Sequence, residues 1–192
     1  MQKSWRQDAD KLTFIICCPL LEPRTERISD EDDNPDRMLG DVNLFLRIED
    51  SDSDSDSPSS SVEIIGEIEL MIAEKKHQRN GFGRASLLSF LRYISTHERD
   101  ILDEYIQNDP LASQAIPGFG VQERDQWRFT ALSVKIGKSN TGSLALFETL
   151  GFRRVSDEPN YFGEFELRRK VPGRDDCEAR EYAEAVYIGD EQ

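Results

Sequence analysis

The chain has 192 residues, 37% of them apolar and 32% charged, so it can form one domain of ordinary size but cannot bury all of itself. Its 24 lysines and arginines stand against 38 acidic residues, and this formal charge of −14 argues against nucleic-acid binding, because phosphate contacts need a basic surface. No apolar run reaches the roughly 20 residues of a membrane span, and the first residues lack the apolar segment of a signal peptide. We therefore expect a soluble cytoplasmic protein, with the nucleus left open, that binds neither nucleic acid nor membrane.

The acidic residues cluster in three segments, 22–36, 49–57 and 171–192, each with a formal charge of −5. The rest of the chain is close to neutral. Segments of this composition bury too little apolar surface to offset the entropy lost when they become ordered. We predict acidic disordered loops at about 22–36 and 49–61 and an acidic, flexible C-terminal tail over 171–192.

The three cysteines, Cys17, Cys18 and Cys177, form no Cys-x-x-Cys pair, and the chain has only two histidines, so no zinc-ligand spacing is present. Cys17 and Cys18 lie within an apolar run. We interpret them as small buried hydrophobic residues in a reducing compartment. We expect no metal.

Three strands are predicted in the first part of the chain, at 11–18, 39–48 and 62–73, from β-branched content and alternating polarity. In the third strand one face is apolar and the other carries Glu67 and Glu69. Only loops join these strands, so the pattern predicts an antiparallel meander.

Helical and strand patterns alternate in the remainder of the chain. Apolar stripes at helical spacing and runs of β-branched residues predict, in order, helices at 85–96 and 98–107, a strand at 127–136, a helix at 141–150 and a strand at 161–169. Pro110 and Pro117 mark a loop before the fourth strand. Asn140 is a candidate N-cap of the last helix, and Gly151 is placed to end it.

The segment 78–83, with sequence QRNGFG, joins the third strand to the first predicted helix. Its two glycines permit a tight turn and a close ligand approach, and its N–H groups with the helix N-terminus behind them suit a phosphate. Lys75, Lys76, Arg79 and Arg84 add positive charge. The pattern fits neither a P-loop nor a dinucleotide-binding glycine loop. Because glycine is also the commonest turn residue, a simple turn stays an alternative.

A second motif lies in 135–152, with sequence KIGKSNTGSLALFETLGF, where a strand ends, Asn140 opens a helix and Gly151-Phe152 closes it. Together with QRNGFG, this motif resembles the GNAT superfamily of acetyl-CoA-dependent N-acetyltransferases, and within it the N-acetyltransferase 9-like proteins. The resemblance extends over roughly 2–170 and is carried by 4–15, 40–46, 66–74 and 134–140.

This resemblance implies the α+β GNAT acyl-CoA N-acyltransferase fold, with a mostly antiparallel central sheet and flanking helices, over a domain spanning 1–170. The family's first strand and the helices after it have no counterpart in the sequence, and 98–126 is longer than the family's connection. The implied reaction transfers the acetyl group of acetyl-CoA to an amine of a protein, N-terminal or lysine, by direct attack in a ternary complex. Tubulin is a candidate acceptor, because some relatives are linked to it.

The resemblance also implies site residues. Those expected to contact acetyl-CoA are Met71, Ile72, Ala73, Gln78, Arg79, Asn80, Gly81, Phe82, Gly83, Arg84, Asn140, Ser143 and Phe147. Glu67 would accept the proton of the amine, with Glu69 as second candidate, although both positions also suit a solvated or ion-paired strand face. A backbone N–H near Met71 would stabilise the oxyanion.

Phe147 stands where many relatives have a tyrosine that protonates the departing thiolate. A phenyl ring cannot donate a proton, so its role is packing against the cofactor or the core. A catalytically silent GNAT-fold interaction module is therefore the competing hypothesis, favoured also by the missing N-terminal elements and the acidic loops. The intact Gly81 and Gly83 favour an enzyme.

Overall fold

The computed structural model describes residues 8–20, 27–28, 32, 34–50, 62–116, 127–173 and 182–187. The acidic loops and most of the tail predicted above lie largely outside these residues. The described strands are β1 (Lys11–Cys17), β2 (Arg27–Ile28), β3 (Met38–Asp50), β4 (Val62–Ile72), β5 (Ala131–Gly137), β6 (Arg153–Arg154), β7 (Glu164–Arg169) and β8 (Val186–Tyr187). The described α-helices are α1 (Phe82–Asn108), α2 (Pro110–Ala115) and α3 (Thr141–Thr149).

Six strands form one mixed sheet in the order β1-β3-β4-β5-β7-β6, and β2 pairs separately with β8. The pairs β1/β3, β3/β4, β5/β7 and β6/β7 are antiparallel, whereas β4/β5 is parallel. The predicted meander of the first three long strands is therefore confirmed. With its helices, the domain belongs to the α+β class, as expected.

The parallel pair β4/β5 is short. Its ladder joins only Ile65–Glu67 to Ala131–Ser133, although β4 continues to Ile72 and β5 to Gly137. Beyond the last paired residues, Glu67 and Ser133, the two strands separate. A gap therefore opens in the middle of the sheet, between the carboxyl ends of its two parallel strands.

Helices α1 and α3 both pack on one face of the sheet. A single apolar core joins Leu87 of α1 and Phe147 of α3 to residues of the strands such as Leu44, Ile68 and Leu167. In α1 the buried positions recur at helical spacing, which is why this segment forms an amphipathic helix. The opposite face of the central strands carries charged side chains. Among the described residues, no helix is both long and apolar enough to cross a membrane.

The two helices predicted at 85–96 and 98–107 both form, and they follow one another without a loop as the single helix α1, which is kinked at His97 between them. No proline or glycine lies between Arg84 and Gln107, so nothing in the backbone ends the helix. It bends at His97, the one interior residue with non-helical angles (φ −111°, ψ 15°).

The prediction of a loop marked by Pro110 and Pro117 is only partly correct, because α2 begins at Pro110. The Asp109 side chain accepts a hydrogen bond from the N–H of Ala112 and so caps the short helix, and proline is well tolerated at a first helical position.

Two of the predicted strands begin a few residues later than expected. The fourth predicted strand begins at Ala131 rather than at 127, and β7 begins at Glu164 because residues before it form a turn in which the N–H of Gly163 bonds Asn160. Cys17 and Cys18 are half-buried rather than fully buried. Helix α3 is as predicted: Asn140 caps it, and Gly151, at φ 85°, follows its end.

The pair Leu87 and Leu111 tests the packing of the helices, since Leu87 in α1 is fully buried and Leu111 in α2 is 75% exposed. We expect Leu87→Ala to lower the free energy of unfolding by about 2–5 kcal/mol, because it leaves a cavity beneath α1. Leu111→Ala should change it by less than about 0.5 kcal/mol. Urea denaturation followed by circular dichroism measures both, and equal effects would contradict the described burial.

Candidate functional site

A cavity of about 430 Å³ lies at the open end of the gap between β4 and β5. The N-terminal ends of α1 and α3 form its other walls. Its lining residues are Leu70, Met71, Ile72, His77, Gln78, Arg79, Gly81, Gly83, Arg84, Asn140, Gly142, Ser143 and Leu146. None of these described lining residues is acidic, although the chain has a formal charge of −14.

The cavity brings together nine of the thirteen residues predicted to contact acetyl-CoA. The four predicted residues that do not line it are Ala73, Asn80, Phe82 and Phe147. Phe147 is buried in the core, where its ring packs edge-on against Phe152 at 5.1 Å between centroids. Of the two packing roles considered for Phe147, the structure therefore shows the one in the core.

Four lining residues were not in the predicted set: Leu70, His77, Gly142 and Leu146. Helical spacing could have found two of them, because Gly142 and Leu146 lie on the same side of α3 as Ser143. Strand alternation could have found Leu70, which shares the orientation of Ile72. His77 carried no signal beyond its position next to the loop.

The loop 78–83 is braced by two of its own side chains. The Gln78 amide donates to the carbonyl oxygen of Ile72 at 2.9 Å, and the Asn80 amide donates to that of Lys76 at 3.0 Å. Gly81 has φ 89°, a left-handed conformation that favours glycine. Arg79 also has a positive φ of 64°, which is uncommon for other residues and concentrates at functional sites.

Two helix N-termini face the cavity. In α1 the N–H of Ala85 bonds the carbonyl oxygen of Gly81, so the N–H groups of the first three helical residues have no partner within the helix. In α3 the Asn140 side chain accepts the N–H of Ser143 at 3.2 Å. Unpaired N–H groups and the positive ends of two helix dipoles make this cavity suited to an anion.

Gly142 explains how Arg79 of the loop reaches α3. A Cβ at Gly142 would lie 2.9 Å from Nη2 of Arg79, so the absence of a side chain lets the guanidinium pack against the first turn of α3. Glycine within a helix lowers its stability relative to alanine, and here it permits this close contact. Arg79, held in this way, and Arg84 both line the cavity.

The backbone of β4 presents unpaired peptide groups to the gap. The N–H of Ala73 donates to the carbonyl oxygen of Leu39 at 2.9 Å, so Ala73 faces β3. Because peptide groups alternate along a strand, the peptide groups of Leu70 and the N–H of Ile72 face the gap, and those of Met71 face β3. The carbonyl oxygen of Ile72 already accepts from the Gln78 amide. An extended chain with amide groups can bind such an edge as an added strand would.

Glu67 and Glu69 lie on the sheet face opposite the helices. Glu67 is the last residue of β4 paired with β5, and its Oε2 accepts from Nη1 of Arg47 at 2.6 Å and from Nζ of Lys135 at 2.9 Å. Glu69 is exposed, and no described residue bonds its side chain. The ion-paired alternative considered for Glu67 is thus what the structure contains, at the vertex of the gap.

Arg47 belongs to a wider set of ion pairs on this face. It also bonds Glu49 at 2.8 Å, and Arg168 joins Glu49 to Glu166. Burial by itself would raise the pKa of Glu49, but the hydrogen bonds from Arg47 and Arg168 outweigh it, so the pKa lies below its usual value. These pairs therefore stabilise the fold above the unfolded-state pKa of a glutamate, about 4.3, and this contribution is lost as the pH falls through the lower pKa of the folded state.

Within the described part of the chain, no three His, Cys, Asp or Glu side chains are grouped so as to hold a metal ion. The chemistry of the cavity is that of an anion site joined to a gap with free peptide groups.

A mixed sheet whose central parallel strands separate, with two helix N-termini at the opening, defines an α+β domain of the type the sequence resemblance implied. No protein-family model matches the chain. The chain is 33% identical over 186 residues to the N-acetyltransferase 9-like protein of Schizosaccharomyces pombe, and the match covers 87% of this chain and 73% of that protein. The chain belongs to the N-acetyltransferase 9-like family.

The chain is also similar to other proteins. The chain is 33% identical over 174 residues to the alpha/beta-tubulin-N-acetyltransferase 9 of Drosophila melanogaster, a match that covers 89% of this chain and 64% of that protein. A crystal structure of Arabidopsis thaliana NAA60 with a bisubstrate analogue aligns with a TM-score of 0.46 at 12% identity, covering 85% of this chain and 77% of that one.

Asn140→Asp separates helix capping from anion binding. A carboxylate can still accept the Ser143 N–H, and a negative charge favours a helix N-terminus, so we expect the free energy of unfolding to stay the same or rise by about 0.3–1 kcal/mol. The same charge stands on the cavity wall and repels an anion. Saturating pyrophosphate should therefore raise the melting temperature of the wild type but not of Asn140→Asp.

Asn160→Asp is the matched control for this test, because its side-chain oxygen accepts the N–H groups of Phe162 and Glu164 outside the cavity. It should keep the full pyrophosphate effect. A pyrophosphate effect retained in Asn140→Asp, or lost in both variants, would contradict the assigned anion site.

Proposed function

We propose that this protein transfers the acetyl group of acetyl-CoA to an amine of an acceptor protein. The observation that carries the proposal is the continuity of the acid-free cavity with the gap between β4 and β5. One ligand with an anionic end and a long amide-containing arm would use both features together. Acetyl-CoA has this composition, and the family relatives are named N-acetyltransferases.

The cavity residues would hold the anionic end of acetyl-CoA. Its phosphates would accept from the N–H groups of the loop from Arg79 to Arg84, with Asn140 and Ser143 on the opposite wall. The arm would lie in the gap, where Leu70 and Ile72 present their peptide groups. Binding there fixes the thioester beside the acceptor and converts a bimolecular step into an effectively intramolecular one.

The reaction needs the amine to lose a proton before or as it attacks the thioester carbonyl. Glu67 and Glu69 remain the candidates for accepting it, directly or through water, because both lie on the face opposite the helices. A peptide N–H of β4 around Met71 would stabilise the oxyanion, and Leu70 and Ile72 are the gap-facing donors on either side of it. Since Phe147 is buried and has no proton to give, solvent or the amine itself must protonate the thiolate.

A protein acceptor is supported by the names of the relatives. Those from Drosophila melanogaster, Mus musculus and Homo sapiens are alpha/beta-tubulin-N-acetyltransferase 9, which makes tubulin the first acceptor to test. The adjacent, half-buried Cys17 and Cys18 suit a reducing compartment such as the cytoplasm.

A silent GNAT-fold interaction module is the second candidate function. Two observations favour it: Glu67 is held by two cations, and position 147 lacks a proton donor. The acid-free cavity favours the enzyme, because an interaction module has no need of an anion site.

Thermal unfolding with acetyl-CoA tests the binding site. At about 100 times its Kd a ligand stabilises the folded state by about 2.7 kcal/mol, which should raise the melting temperature by a few degrees. Gly81→Glu should abolish this rise, because it introduces bulk and negative charge into the loop.

Gly163→Glu is the matched control for the loop variant, since Gly163 also has a positive φ of 78°, has nothing within 4 Å of a Cβ, and lies off the cavity. It should keep the full response to acetyl-CoA. An equal response in Gly81→Glu would contradict the site, as would a rise with NAD as large as that with acetyl-CoA.

Glu67→Gln and Glu69→Gln test the proton acceptor. We expect Glu67→Gln to lower kcat by about 10²–10⁴-fold and to keep the melting-temperature response to acetyl-CoA. Release of CoA thiol, with tubulin and with tubulin N-terminal and lysine peptides as acceptors, measures turnover. Loss in Glu69→Gln alone would assign the role to Glu69. Tight acetyl-CoA binding by a wild type that acetylates no amine would support the silent module.

A further inference from the structure

Six charged side chains on the sheet face opposite the helices form one connected set of ion pairs. They are Arg47 and Glu49 of β3, Glu67 of β4, Lys135 of β5, and Glu166 and Arg168 of β7. The set contains three cations and three anions, so it is neutral as a whole. It links four adjacent strands, and Glu67 is the member at which β3 and β5 meet.

Lys135 occupies a distinctive place in this set. Along β5, Lys135 is the first residue after the paired Ser133 whose side chain points to this face. From there its Nζ reaches back to Oε2 of Glu67 at 2.9 Å, across the point where β4 and β5 separate. The ammonium group thus bridges the vertex of the gap on the sheet face opposite the helices.

The two oxygens of Glu67 differ in their surroundings. Oε2 accepts from both Arg47 and Lys135, whereas Oε1 has no hydrogen-bond donor among the described residues. The side chain of Glu67 is only 16% exposed, so the two cations and the surrounding strands hold it in one orientation. A carboxylate fixed through one oxygen offers the other to a donor that approaches the gap.

We propose that Lys135 is a positioning residue that holds Glu67 across the vertex of the gap, with the free carboxylate oxygen turned to the acceptor amine. This inference rests on the proposed acetyl transfer. Arg47 supports the same oxygen from β3, but it also bonds Glu49, so its removal disturbs more of the sheet. Lys135 bonds no described residue other than Glu67, which makes it the cleaner position to test.

A purely structural role for the Lys135–Glu67 pair predicts a different result. Ion pairs with an exposed partner contribute little to stability, and the Lys135 side chain is 39% exposed, so a structural pair would leave kcat unchanged when it is broken. A positioning role predicts a loss of kcat, because the proton acceptor is no longer held in place.

The test compares Lys135→Met, Lys135→Arg and Lys138→Met in the full chain, with acetyl-CoA and tubulin as substrates. We expect Lys135→Met to lower kcat by about 10–100-fold and to leave the KM for acetyl-CoA within about twofold. Lys135→Arg should recover most of the rate, because it restores a cation to Glu67. Lys138→Met removes an exposed lysine just after β5 and should behave as the wild type.

A second readout does not depend on turnover. With ¹³C-labelled glutamate, the side-chain carbon signal of Glu67, assigned by its absence in Glu67→Gln, should move at a fixed neutral pH in Lys135→Met but not in Lys138→Met. An unchanged kcat in Lys135→Met, or no recovery of the rate in Lys135→Arg, would overturn the positioning role. Absence of turnover in the wild type would instead overturn the proposed function, and this role with it. The two failures are distinguishable, because failure of the positioning role alone leaves the wild type active.

Discussion

The organisation of this protein depends on one short parallel ladder. Strands β4 and β5 pair over only three residues each and then separate, so both keep peptide groups that no neighbouring strand satisfies on that side. The ladder needs the crossover through α1, which covers the apolar face and brings the two strands side by side. The same crossover delivers the N-terminus of α1 to the open end of the gap. The cavity therefore results from the sheet topology, and its residues come from segments distant in sequence.

Charge is distributed to match this architecture. The chain is strongly acidic overall, yet the cavity is lined by Arg79, Arg84 and two helix N-termini, with no acid among its described lining residues. On the other side of the sheet, acids and bases alternate across neighbouring strands and neutralise one another. The gap thus separates an electropositive side, suited to an anionic cofactor, from a neutral polar side, suited to an amine.

Local patterns predicted much of the site because its chemistry is local. The glycine loop 78–83 and the cap at Asn140 are short motifs with direct backbone consequences, and both lie where the sequence placed them. The kink at His97 lies between the two predicted helices, 85–96 and 98–107, and buried residues continue on both sides of it. Leu146 and Gly142 were left out of the site because the resemblance named positions rather than helix faces.

By itself, the sequence determined the strands, the helices, the glycine loop and the family, because periodicity, capping and short motifs act between residues close together in the chain. Only the tertiary structure decided that Glu67 meets Arg47 and Lys135, that Phe147 belongs to the core, and that Leu70 and Ile72 face the gap. Those facts depend on strand register and on which helix covers which face. The hydrophobic pattern fixes which face of a strand is buried, but strands joined by long connections receive their register from the packing of the whole sheet.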